Sequence, residues 1–317
     1  MTLETLGSPR RHPRRLQLHW IMVCAGLVLG CALPASGQMV INAVDRLSFD
    51  RPESWALKYF TAATLFGGLE APRSRTPGSI SIGLEAGVLP PLSSAQQLVG
   101  YNGTEAQDLN KTPLFPRSRV TVGLPAHLST VVGVARPIPM FGLTTKLFAF
   151  AVERPIHEAS TLVVGARMFG QLGSVKGSYT CPASTVALAP GSPGHADGCQ
   201  AASADTATLR YGGGEIRVAY RPDAVRRLSP HAALDVAYMD VGFLVDALTF
   251  GMIDHTHYLS RGTAVSASGG FSYRTTSKLT VGMDVFYAPL SVRRAFGTPS
   301  QNDGLLNVRM IASYQVR

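Results

Sequence analysis

Charge is scarce in this chain: 15% of its 317 residues are Asp, Glu, Lys or Arg, against 45% hydrophobic. Disordered chains show the reverse balance, so disorder is excluded. Beyond the amino-terminal stretch no apolar run approaches the roughly 20 residues that a helix needs to cross a hydrocarbon core of about 30 Å. The motifs of acyl, phosphate, zinc and calcium chemistry are missing: there is no G-x-S-x-G, Walker A, H-E-x-x-H or EF-hand pattern. Gly212–Gly213–Gly214 lacks dinucleotide-binding spacing, and no cofactor is expected. The basic residues form no stripe and have no aromatic platform beside them, which argues against nucleic acid as a partner. With Gly 32 and Pro 21 the composition is also wrong for a helical bundle.

What is present begins with an export signal. Arg10, Arg11, Arg14 and Arg15 precede a short apolar run from Ile21 to Leu33, and Ala35–Ser36–Gly37 offers small residues for cleavage before Gln38. Residues 1–37 therefore read as a cleaved signal peptide, with Val28–Leu29–Gly30–Cys31 as a rival lipoprotein site. The formal charge of +9 includes +3 from this stretch and falls to +6 after cleavage. Only Cys181 and Cys199 then remain, in an oxidising compartment, and they are expected to form a disulfide. Zinc shared with His195 is the alternative, without the usual ligand spacing.

The mature chain alternates apolar and polar residues with persistence. Ile80, Ile82, Leu84, Ala86 and Val88 alternate with Ser81, Gly83, Glu85 and Gly87; Leu279, Val281, Met283, Val285 and Tyr287 do the same against Thr280, Gly282, Asp284 and Phe286. A strand has a side-chain period of two, so each segment has one greasy and one wet face. Eleven strands are predicted: 55–67, 79–89, 117–126, 129–138, 143–155, 159–176, 206–221, 229–245, 261–275, 277–291 and 304–317. Met39, Ile41, Ala43, Leu47 and Phe49 in the segment 38–54 make a weak twelfth. A soluble sandwich shares this alternation. Arg, Lys and Glu at mid-strand among Gly and Ser favour a barrel with a polar interior, as do Tyr59, Tyr211, Tyr220, Tyr273, Tyr287 and Tyr314 near strand ends.

The closing segment from Leu306 to Arg317 alternates to the end, with Tyr314 two places before Val316. It resembles the last strand of bacterial outer-membrane β-barrels, which usually ends in Phe. The resemblance covers roughly 55–317 and is to uncharacterised, porin-like barrels. It implies an all-β, single transmembrane up-and-down antiparallel barrel in the outer membrane of a Gram-negative bacterium, and the eleven strands with the weak twelfth put the count at about 12, since such barrels close with an even number. It also implies outer-membrane lipids and the outer-membrane assembly machinery as partners, and small polar solutes as possible cargo.

Short links at 126–129, 156–159 and 275–278 are expected at the periplasmic end, and long loops at 89–117, 179–205, 246–261 and 292–303 outside. Ser94–Ala95–Gln96–Gln97 has capping-box spacing. Gly212–Gly214 reads as a bulge, because Leu209 and Tyr211 fall out of phase with Ile216, Val218 and Tyr220. His255 and His257 are the most metal-like pair, lacking further ligands, so no metal is expected. His127, His157 and His231 are expected to make local hydrogen bonds.

Lys58, Glu85, Arg119, Arg167, Glu215, Arg217, Arg274, Asp284 and Arg309 are the predicted lumen-lining residues. Six cations against three anions favour anions in a wet lumen. The expected function is a narrow porin-like channel for small polar solutes. An outer-membrane lipid hydrolase and a non-conducting structural or surface-interaction barrel are the alternatives. No catalytic residues are assigned. A hydrophobic-solute carrier needs an N-terminal plug, for which residues 38–53 are too few.

Overall fold

The alternating segments of the computed structural model close on themselves as an antiparallel barrel. The structure describes residues 38–135, 142–189, 192, 198–225, 227–295 and 297–317. The signal peptide read at 1–37, the rival Cys31 site and His195 lie outside these residues. The barrel strands are β1 (Ile80–Val88), β2 (Leu114–Gly123), β3 (Ser129–Ala135), β4 (Thr144–Glu158), β5 (Leu162–Gly177), β6 (Asp205–Tyr220), β7 (Leu228–Leu244), β8 (His257–Arg274), β9 (Leu279–Ala288) and β10 (Leu305–Gln315). Each pairs with the next, and β10 closes on β1 through pairs such as Met310 with Ala86. Closure leaves no barrel edge, which lets strands cross a lipid core.

The outer face is apolar. Leu84, Phe150, Met168, Leu234, Val265 and Met310 point outward and are between 48% and 76% exposed, while their chain neighbours Glu85, Ala149, Arg167, Ala233, Ser266 and Arg309 are buried. That is the face outer-membrane barrels turn to lipid. Tyr220, Tyr287 and Tyr314 are exposed near strand ends, but Tyr59 and Tyr211 are buried inside. The short links 124–128, 159–161 and 275–278 and the described residues of 221–227 lie at one rim; 89–113, 245–256 and the described residues of 178–204 and 289–304 lie at the other. Outer-membrane barrels keep short links on the periplasmic side, and by that convention the first is called the inner rim and the second the outer rim.

Several expectations fail. The barrel strand count is ten, not about twelve, because 55–67 is no strand and 38–54 gives the barrel sheet only Val44–Arg46, which adds in parallel to His257–Leu259 at the outer rim, while Met39–Ile41 pairs with Met252–Asp254 in a small separate sheet. The barrel thus starts at Ile80. Pro52–Ala63 forms helix α1, with Pro at its first turn and Glu53 toward the positive end of the helix dipole. Trp55, Leu57 and Tyr59 mimic a strand period in sequence. They lie inside the barrel with the helix buried nearly all round, so no polar stripe marks the helical period.

From Thr64 the chain runs extended down the lumen and leaves at the inner rim, where Gly78 N–H donates to the Gly123 carbonyl at 2.8 Å. Residues 52–78 form a plug, and the expectation that this chain has too few residues for one is overturned. Gly212–Gly214 is no bulge: β6 pairs with β7 in unbroken register from Thr206 to Ala219. Leu209 and Tyr211 point inward like Glu215 and Arg217, so the inner face changes from charged to apolar toward the outer rim.

The capping box sits one residue earlier than read. Ser93 caps the turn Ser94–Gln97, its hydroxyl accepting from Gln96 N–H at 3.3 Å while Ser93 N–H donates to Gln96 Oε1 at 2.9 Å. Cys181 and Cys199 are joined by a disulfide. Asp205 organises the same loop, accepting from the backbone N–H groups of Tyr179, Thr180 and Asp246.

Candidate functional site

A chain threading a lumen has no sheet partner for its backbone, and buried carbonyls left unpaired are costly. Wall arginines supply the donors. Arg309 donates to the carbonyls of Ala62 (2.7 Å) and Leu65 (2.8 Å), Arg119 to Gly67 (3.0 Å), Arg117 to Thr64 and Arg217 to Gly68. Glu215 accepts from Gly68 N–H at 2.7 Å. Three guanidinium groups, of Arg117, Arg119 and Arg167, lie 4.3 to 5.0 Å from the ring centre of fully buried Phe66, within cation–π range.

The wall charges also neutralise one another. Arg119 Nε donates to Glu85 Oε2 at 2.7 Å, with Arg117 3.7 Å from the same carboxylate. Arg217 joins Glu215 (3.0 Å) to Asp284 (3.3 Å), and His231 Nε2 lies 2.6 Å from Asp284 Oδ1. Buried ions persist when paired and hydrogen-bonded in this way. Where the barrel wall meets the plug, side chains are absent by necessity: a Cβ on Gly282 would lie 2.1 Å from the Leu69 carbonyl oxygen, and one on Gly133 2.7 Å from the Phe66 ring.

Of the nine residues singled out from sequence, Glu85, Arg119, Arg167, Glu215, Arg217, Asp284 and Arg309 are buried on the inner wall. Lys58 belongs to α1 instead. Its ammonium donates to the Ser291 carbonyl at 2.7 Å and sits 4.4 Å over the Phe49 ring, and burial lowers its pKa to about 8 despite the nearby Asp50 carboxylate. Arg274 is exposed at the inner end of β8. Arg117, Asp235 and Gln171 were missed, although each shares strand parity with a residue that was found or lies one pair away. His255 is engaged by Asp246 at 3.1 Å, and among the described residues no group of three or more His, Cys, Asp or Glu is arranged to hold a metal.

Two cavities flank the plug. The outer one lies between α1, the 89–113 loop and the upper barrel wall, with a void of about 1210 Å³ counting its mouth. Leu57, Phe60, Phe115, Val175, Leu209 and Phe243 give it an apolar lining, with Glu53, Lys111 and Asp254 among its few charges. The inner one, about 690 Å³ counted likewise, is lined mainly by plug residues 68–75 and by charged wall residues of β2, β4, β5 and β6. The lumen is thus charged below, where it holds the plug, and apolar above.

No family model and no curated protein matches the sequence. Solved structures similar to it are bacterial outer-membrane barrels. The attachment invasion locus protein Ail of Yersinia pestis is 11% identical over 76% of this chain and 99% of its own, with a TM-score of 0.28. The outer membrane protease OmpT of Escherichia coli is 10% identical over 75% and 94%, with a TM-score of 0.35. The Pseudomonas putida toluene transporter TodX is 10% identical over 88% and 78%, with a TM-score of 0.32. At these identities and scores the likeness is that of one β-barrel to another.

Proposed function

We propose that this protein is an outer-membrane uptake barrel that takes a small apolar molecule into its outer cavity, with the plug closing the route to the periplasm until it is displaced. The observation that carries this reading is the apolar void over α1, walled by Leu57, Phe60, Leu209 and Phe243 and set above a lumen filled by residues 64–78. Burying apolar ligand surface there contributes roughly 25 cal/mol per Å². The reading replaces small polar solutes as the favoured cargo, because Arg119, Arg217 and Arg309 are engaged by plug carbonyls and, for Arg119 and Arg217, by carboxylates instead of facing water. A lipid-hydrolase reading has less support: both ring nitrogens of His231 are taken, by Asp284 and by the Ser229 carbonyl, which leaves none to accept from a serine hydroxyl.

The test is binding of an environment-sensitive apolar dye to the refolded barrel, displaced by toluene or hexane. Phe60→Asp puts a carboxylate into the lining and should weaken dye binding about tenfold or more, since an unpaired charge in an apolar site is strongly disfavoured. Equal affinity in wild type and variant would dispose of the outer cavity as the binding site.

A further inference from the structure

The inner cavity contains donors that neither the plug nor the wall uses. Arg167 is 5% exposed, its Nη1 donates to Glu153 Oε2 at 2.5 Å, and its Nε and Nη2 are buried without a partner. These two nitrogens form one edge of the planar guanidinium, with parallel N–H bonds. Arg75, lining the same cavity from the plug side, donates through Nη1 to Ser81 Oγ (3.0 Å) and Nη2 to Glu70 Oε2 (3.4 Å), while its Nε is also buried and unpartnered. Six arginines and three glutamates line the cavity, so its balance is positive.

A free, buried guanidinium edge is costly unless something accepts from it. We infer that the inner cavity is a binding site for the carboxylate of a small organic acid, held bidentately by Nε and Nη2 of Arg167 with Arg75 as a second cation. Two parallel donors match the two coplanar oxygens of a carboxylate. A tetrahedral dianion wants more donors than one edge and a single further N–H provide. The Phe66 ring, 5.0 Å from the Arg167 guanidinium carbon, restrains the guanidinium so that little side-chain freedom is lost on binding. This site is separate from the outer cavity and does not depend on what enters there.

The experiment is calorimetric titration of the refolded full-length protein in micelles with sodium butyrate, butyramide and sodium sulfate at constant ionic strength. Butyrate should bind saturably; butyramide, isosteric but uncharged, should not, and sulfate should bind more weakly. Arg167→Gln should weaken butyrate about tenfold or more, the expected loss for a bidentate charged contact. Lys278→Gln, in an exposed turn away from the cavity, should leave it unchanged. The site is refuted by no saturable butyrate binding, by equal binding of butyramide, or by an unchanged affinity in Arg167→Gln. Sulfate binding as tightly as butyrate overturns the carboxylate assignment. The three-ligand comparison on wild type decides the matter even if the variant does not refold.

Discussion

At the scale of single residues, position relative to lipid and plug sets the cost of a change. Val285 points outward on β9 and is 45% exposed, opposite Val308 and Gly269 in the middle of the wall. Val285→Arg should cost roughly 2 to 4 kcal/mol if this is near the midplane, and Val316→Arg, beyond the end of β10, close to nothing; unfolding in lipid vesicles measures both. Gly282→Ala acts on the other face. Its Cβ would meet a backbone oxygen of the plug, so it should loosen residues 68–72 and raise their hydrogen exchange while the barrel strands stay protected. Lys58 adds a pH dependence. Its folded pKa of about 8 lies below the ordinary 10.5, so the unfolded state holds the extra proton between these values and stability rises with pH through that window. Seating of α1 should therefore tighten from pH 8 to 10, and Lys58→Met should flatten the profile.

At the scale of elements, the plug is the part whose removal changes the molecule's behaviour. Five of its carbonyls are held by four wall arginines, and the phenyl ring of Phe66 is surrounded by three guanidinium groups. Wild-type protein in planar bilayers should show little steady conductance. A variant lacking residues 52–66 should conduct in larger steps, because the deletion vacates the upper and middle lumen and leaves all ten strands intact. Identical conductance in both would mean that the plug does not block the path. The disulfide loop is a second independent element. Reducing Cys181–Cys199 removes roughly 3 kcal/mol of unfolded-state restriction for a loop of this length, yet no barrel pairing runs through it. Reduced protein should expose the 178–204 loop to protease and keep the electrophoretic mobility of a folded barrel.

At the scale of the whole molecule, a ten-stranded wall encloses one helix, one extended chain and the two cavities beside them. The wall then needs inward groups that suit a backbone in the lower half, hence arginines, and groups that suit a ligand or a helix flank in the upper half, hence Leu147, Leu209, Met239 and Phe286. The inner charges of this barrel are thus as much packing partners as field sources. Anion preference, which the five buried wall arginines Arg117, Arg119, Arg167, Arg217 and Arg309 against Glu85, Glu215, Asp235 and Asp284 favour weakly for an open lumen, should emerge only in the plug-deleted variant, and reversal potentials in a salt gradient measure it.

The wall was legible in the sequence because its cause is local. Alternation at period two places Leu84 in lipid and Glu85 inside whatever happens elsewhere, and loop lengths and the two remaining cysteines are properties of short stretches. The nine charged candidates followed from the same parity, apart from Lys58, whose segment was read with the wrong period. The contents of the lumen were not legible. α1 is covered on nearly all sides and shows no polar face, so its apolar residues satisfy a strand period as well as a helical one. Leu209 and Tyr211 looked like a phase error because apolar residues inside a barrel only make sense once a cavity and a plug are there to meet them. What an inward side chain faces is decided by a partner far along the chain, as Arg309 is by the carbonyl of Ala62, 247 positions away. Period and spacing carry no information at that distance; only closing the barrel around its own amino-terminal segment brings the two together.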